Sequence, residues 1–151
     1  MPGMTSEAKA IVADIIENVM AGLVSPADKL KIYLPANLEN YDDLDDGGHI
    51  LVLYKGSRYS DNKVSYAVNQ NREITISVTI ESLSVPGRML PEDYLDAIIS
   101  GLINYEMTVS WRQPGKRITV SSDELMGENN GRWRYILEVS VPATIFSGGT
   151  I

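Results

Sequence analysis

Cysteine is absent from the 151 residues. That excludes a disulfide scaffold, Cys-ligated zinc, iron–sulfur clusters and thiol catalysis. Histidine occurs once, at His49, so histidine-based proton transfer has a single candidate. Basic residues are in deficit, with 13 Lys and Arg against 20 Asp and Glu, a net charge of −7 and a pI near 4.6. A protein that grips a phosphate backbone carries the opposite balance, so direct nucleic-acid binding is disfavoured. No apolar run reaches the roughly 18–20 residues a membrane helix needs. No basic flank precedes an apolar stretch near Met1, so neither a signal peptide nor a membrane partner is expected.

What is present is an ordinary globular mixture, 44% apolar and 22% charged, in a chain long enough for one domain with a real core. The most informative stretch is Glu73 to Glu81. Ile74, Ile76, Val78 and Ile80 alternate with Thr75, Ser77 and Thr79, the period of a strand with one buried face. The second face carries short hydroxyls instead of Lys and Glu, which suits a face that another surface covers.

Two helices are expected. Thr5 or Ser6 caps the first, with Glu7 in its first turn. Ala8, Ile11, Val12, Ile15, Ile16, Val19, Met20 and Leu23 recur at helical spacing, and Gly22 and Pro26 mark the end. Pro91 opens the second, with Glu92 and Asp93 at its positive end and an apolar stripe of Tyr94, Leu95, Ile98, Ile99, Leu102 and Ile103.

Further strands are expected at Lys29–Leu34, at His49–Tyr54 (apolar on both sides), weakly at Val64–Val68, briefly at Ile118–Val120, and at Trp133–Val141. Lys55-Gly56-Ser57-Arg58 and Asp61-Asn62 read as turns, Asn129-Asn130-Gly131 as a hairpin turn, and Pro142 as the end of the last strand. The fold class is α+β: a single domain over residues 1–151 with two main helices on a mixed, mostly antiparallel sheet, and flexible ends at 1–5 and 147–151.

Candidate chemistry is sparse. The loop Asp42-Asp43-Leu44-Asp45-Asp46-Gly47 does not match an EF-hand, since the third position is Leu44 and the twelfth Leu53. A solvated loop is the simpler reading. His49 reads as a half-exposed strand-edge residue, and as a general base it would need an acid from the loop before it. Lys55-Gly56-Ser57 has the wrong order for a phosphate loop. Trp111, Trp133, Tyr94, Tyr105 and Tyr135 read as core or subunit-contact residues. Arg112, Lys116 and Arg117, with Arg132 and Arg134, form the one basic group that favours an anionic partner. No cofactor and no metal are expected.

The order of these features resembles the Gp37-like family of phage and prophage proteins. An amphipathic helix precedes an apolar strand running into Tyr54-Lys55-Gly56-Ser57-Arg58-Tyr59. Asn71-Arg72, the Ile74–Ile80 strand, a helix ending in Asn104-Tyr105 and Gly131-Arg132-Trp133-Arg134-Tyr135 follow. That family is related in fold to the tail terminators of long-tailed phages.

The resemblance implies a virion protein of the tail or neck, found in the host cytoplasm during assembly. It would form a homo-oligomeric ring, usually of six subunits, on the head-proximal end of the tail tube. It would stop the tube growing, and it would contact the tail tube protein and a sheath or head-completion protein without catalysis. Thr75, Ser77, Thr79, Arg58, Tyr59, Arg132 and Arg134 are then the expected subunit and tube contacts. Asp42, Asp43, Asp45 and Asp46 would line a lumen that repels DNA, which passes without specific binding. The alternatives are another neck or tail-completion protein, a small metal-dependent hydrolase using His49 and the nearby aspartates, or an unrelated binding module.

Overall fold

The computed structural model describes residues 3–34, 48–60 and 69–146. The acidic segment Asp42–Asp46, the weak strand at Val64–Val68, the Asp61-Asn62 turn and the tail at 147–151 lie outside the described residues. Two α-helices, α1 (Met4–Ala21) and α2 (Pro91–Asn104), accompany five strands: β1 (Lys31–Tyr33), β2 (Gly48–Ser60), β3 (Asn69–Leu83), β4 (Thr119–Asn129) and β5 (Arg132–Phe146). The sheet order is β1-β2-β3-β5-β4. Only β1 and β2 run parallel; the other neighbours are antiparallel. This is the mixed, mostly antiparallel α+β domain that the periodicities predict.

The alternation in β3 sets the two faces of the sheet. Ile74, Ile76, Val78 and Ile80 are fully buried. They face Ile50 and Val52 of β2 on one side and Leu137, Val139 and Val141 of β5 on the other. Val12, Ile15 and Ile16 of α1 and Tyr94, Ile98 and Leu102 of α2 join the same apolar cluster. Each such side chain stabilises the fold by about 1.5–3 kcal/mol relative to an exposed one, so this one face carries most of the hydrophobic stabilisation. The helices touch each other at Gly101, where an added Cβ would lie 2.7 Å from a γ-methyl of Val19.

Several boundaries differ from expectation. α1 begins at Met4 with Gly3 as N-cap and no side-chain cap. Thr5 instead sits inside the first turn, and its hydroxyl accepts a 2.8 Å hydrogen bond from Arg72. Lys55 to Arg58 is no turn: β2 continues to Ser60 through a bulge between Tyr54 and Gly56, and an isolated Gly in a strand pattern is the usual mark of a bulge.

β5 likewise runs past Pro142 to Phe146. Proline is tolerated there because the paired part of β4 starts at Thr119, opposite Ser140, which leaves Pro142 beyond the stretch that β4 covers. β4 is eleven residues long where three were expected. Its hairpin to β5 turns at Asn130 and Gly131, both with positive φ (54° and 83°), the geometry of the tight turn predicted there.

Candidate interaction face

Thr75, Ser77 and Thr79 point away from the helices and build a second face in register with both neighbouring strands. The rows across β2, β3 and β5 are His49–Glu81–Arg134, Leu51–Thr79–Ile136, Leu53–Ser77–Glu138, Gly56–Thr75–Ser140 and Arg58–Glu73–Pro142. The three hydroxyl residues are half-buried. Leu51 is buried, yet it does not belong to the main core cluster. Among the described residues no helix packs on this face. It is therefore a graded surface: charged and closed at one end, apolar and hydroxyl-lined in the middle, polar at the other.

The closed end holds a group that the sequence did not announce. His49 and Glu81 are 2% and 1% exposed. Arg134 donates from Nε (2.9 Å) and a terminal nitrogen (2.5 Å) to Glu81 Oε1, and Arg132 donates to Oε2 at 3.2 Å. His49 Nδ1 lies 3.9 Å from Glu81 Oε2, and the Tyr33 ring meets the imidazole edge-on at 6.1 Å.

Burial pushes the His49 imidazole below its ordinary pKa; Glu81 opposes this, and Arg134 and Arg132 reinforce it. Burial alone would raise the Glu81 carboxyl, but hydrogen bonding to Arg134, its charge, and then His49 and Arg132 hold it below the usual carboxylate range. The result is an ionised carboxylate clamped by two guanidinium groups beside a neutral imidazole. A buried ion needs such partners.

His49 is thus no half-exposed edge residue. It lies on an interior strand, and β3 places an acid, Glu81, beside it. The one available signal was that Glu81 prolongs the outward-facing row of Thr75, Ser77 and Thr79. Two hollows flank this group. One, about 360 Å³, is lined by Glu81, Met126, Glu128, Asn129, Arg132 and Arg134. The other, about 320 Å³, is lined by His49, Leu51, Thr79, Met126, Arg134 and Ile136. Among the described residues no group of three or more His, Asp or Glu side chains is placed to hold a metal ion.

Of the expected contact residues, Arg58, Thr75, Ser77, Thr79, Arg132 and Arg134 share this second face. Tyr59 does not. It faces the helix side, where Arg72 lies between the rings of Tyr54 (5.9 Å) and Tyr59 (5.7 Å) and donates to Ser57 Oγ at 2.9 Å. Hydrogen bonds from Ser57 and Arg72 lower the Tyr54 phenol pKa. With the bond from Arg72 to Thr5, this tyrosine–arginine group ties the start of α1 to the far end of β2 and β3.

The five arginines and lysines read together from sequence are separated by the fold. Arg112 bridges to Ala143 near the end of β5, whereas Arg132 and Arg134 lie at its beginning, about 30 Å away at strand spacing. Lys55, on the bulge, pairs with Glu138 across the second face.

No helix among the described residues is long and apolar enough to cross a membrane. No curated protein matches the chain. The family described as Gp37 protein matches residues 21–147, a span that takes in every strand described above, α2 and the whole second face. The chain belongs to the Gp37 protein family, a bacteriophage-related family.

Proposed function

We propose that this protein is a structural virion component that forms a closed ring, with six copies expected, on the head-proximal end of a phage tail tube. There it stops tube growth and presents the surface for head joining. The observation that carries the reading is family membership together with a second sheet face on which no described helix packs. Rows of Thr, Ser, Leu and Ile can be buried against a neighbour at little desolvation cost, because hydroxyls find partners easily. A contact between two different patches closes by rotation into a ring.

The local chemistry supports a role without catalysis. The Glu81 carboxylate is committed to two arginines, which makes it a poor general base. Tail tube protein and a sheath or head-completion protein are the proposed partners, with DNA passing through the ring unbound. The four aspartates Asp42, Asp43, Asp45 and Asp46 are proposed to keep that passage repulsive to phosphate.

Electron microscopy of particles made without this protein tests the reading. Tails of uncontrolled, excessive length are expected. Tails of normal length that lack heads would replace the terminator with a joining protein. Normal, complete particles would overturn both.

A further inference from the structure

Two regions of the described surface carry charge of one sign. α2 and β4 carry Glu92, Asp93, Asp96, Asp123, Glu124 and Glu128, all exposed, and no lysine or arginine. The two elements pack against each other, and the phenol of Tyr135 between them is raised in pKa by burial, then by Glu92 and Asp123. This makes one continuous acidic side along the β4 edge of the sheet. Exposed Leu125, at 47%, lies within it, whereas Met126 turns to the second face beside Arg134. The turn beside the far end of β5 is basic. Arg112 bridges to Ala143 on β5, whereas Arg58, near the end of β2, stands in register with the exposed Glu73 and is not part of this patch. Lys116 and Arg117 occupy the turn closed by the bond from Lys116 N–H to the Gln113 carbonyl. Among the described residues none of Arg112, Lys116 and Arg117 is in an ion pair, and neither are Glu92, Asp93, Asp96, Asp123 and Glu124.

The two regions cannot satisfy each other within one chain. Along β5, Ala143 is eight residues from Tyr135, about 25 Å at strand spacing, and the screening length at physiological salt is about 8 Å. Each is therefore a patch of like charge that a partner of opposite charge would relieve. The acidic patch is also poorly suited to pair with itself: bulges at Val120/Ser122 and Leu125/Gly127 interrupt the β4 edge, and its carboxylates would face carboxylates. Both devices discourage edge-to-edge strand pairing.

We infer that the α2–β4 acidic side of one copy docks on the Arg112/Lys116/Arg117 turn of the next, as a head-to-tail contact between copies of this chain. The two patches are different surfaces, so the contact is heterologous and propagates around a ring instead of ending at a two-fold dimer. Charge complementarity sets register and speeds encounter, while Leu125 supplies apolar area. The inference rests on the ring reading above and puts the contact between copies on these two patches, which leaves the second sheet face for the tube or head-completion partner.

The test uses two charge-reversed forms of the full chain. One carries Glu92→Lys, Asp93→Lys and Asp123→Lys, the other Arg112→Glu, Lys116→Glu and Arg117→Glu. All six positions are at the surface or half-exposed, and thermal unfolding checks that each form folds. Sedimentation velocity then follows assembly. The wild-type chain is expected to assemble at low salt and to dissociate as the Debye length falls from about 30 Å to about 3 Å. Each reversed form alone is expected to lose self-association by at least about 100-fold, because like charges then face each other. An equimolar mixture is expected to regain it, because each form then offers what the other lacks.

Reversed forms that assemble like the wild type, or a mixture that stays monomeric, overturn the contact and leave the ring reading standing. A wild-type chain that stays monomeric at low salt overturns the contact too. Tail length in particles lacking the protein then decides separately whether the ring reading survives.

Discussion

The two faces of the sheet are made from the same strands and in the same register, yet they are held by different physics. On the helix side Ile74, Ile76, Val78 and Ile80 disappear under α1 and α2. Their contribution is apolar area, non-directional and roughly additive. On the other side burial is selective. His49, Glu81 and Leu51 are buried while Thr75, Ser77 and Thr79 stay half-open, and the closed end depends on a directional group of one carboxylate and two guanidiniums. The first face makes the domain stable. The second is left half-open, with its one enclosed charge fixed by direction and distance.

Substitutions break this comparison in order of expected effect. Ile76→Ala empties a site in the middle of the helix-side core and is expected to cost about 4 kcal/mol in chemical denaturation. A loss under about 1 kcal/mol would mean that the helices do not close on this face. Arg132→Ala with Arg134→Ala removes the guanidiniums that hold a buried carboxylate and is expected to cost about 3 kcal/mol at neutral pH. Adding Glu81→Gln to the pair should return much of that, since the unpaired charge is gone. A pair that costs nothing would show that Glu81 is solvated.

Acid titration sharpens the same point. His49 has a lowered pKa, so the unfolded chain takes up its proton first as pH falls. Stability from this residue is full above its ordinary value of 6.5 and declines below it, with a slope of at most about 1.4 kcal/mol per pH unit. Glu81 is also lowered, so its contribution is present above the ordinary carboxylate range and is lost as pH falls through its folded value. His49→Gln should flatten the first decline and move the second to higher pH, because the charge on His49 also helps hold the Glu81 carboxyl low; an unchanged profile between neutrality and pH 5 would place the transition elsewhere.

Gly101→Ala probes the helix pair above the first face. Alanine gains up to about 1 kcal/mol of helix propensity, but its methyl would sit 2.7 Å from a stiff Val19 side chain, and overpacking costs about 1–3 kcal/mol. A net loss near 1 kcal/mol in thermal unfolding is expected, and a gain would show that the helices can part freely. Ser77→Ala should change monomer stability by less than about 0.5 kcal/mol. A larger loss would mean that the second face contributes to the domain's own core.

Much of the architecture was readable from letters alone, for particular reasons. α2 carries its own start signal in Pro91, Glu92 and Asp93, and a full apolar stripe. β3 alternates without interruption. The Asn130-Gly131 turn needs positive φ at both positions, and that pair of residues supplies it. Other features depended on neighbours. Gly56 and Pro142 look like breaks in one dimension. The bulge opposite Thr75 absorbs the first, and the late start of β4 accommodates the second. Arg112 and Arg134 look like members of one basic group until β5 sets them apart. The burial of Glu81 was the least visible, because three residues from three strands meet there: His49, Glu81 and Arg134 are separated by 32 and 53 positions in the chain.

The sequence by itself determined which side chains turn toward the core and where the helices lie, because periods of 2 and 3.6 are properties of the local backbone. Only the tertiary structure decided that Glu81 is an enclosed ion, that His49 is neutral beside it, and that Arg112 lies far along β5 from Arg132 and Arg134. Those outcomes depend on strand register and sheet order, which bring together residues that no local pattern relates.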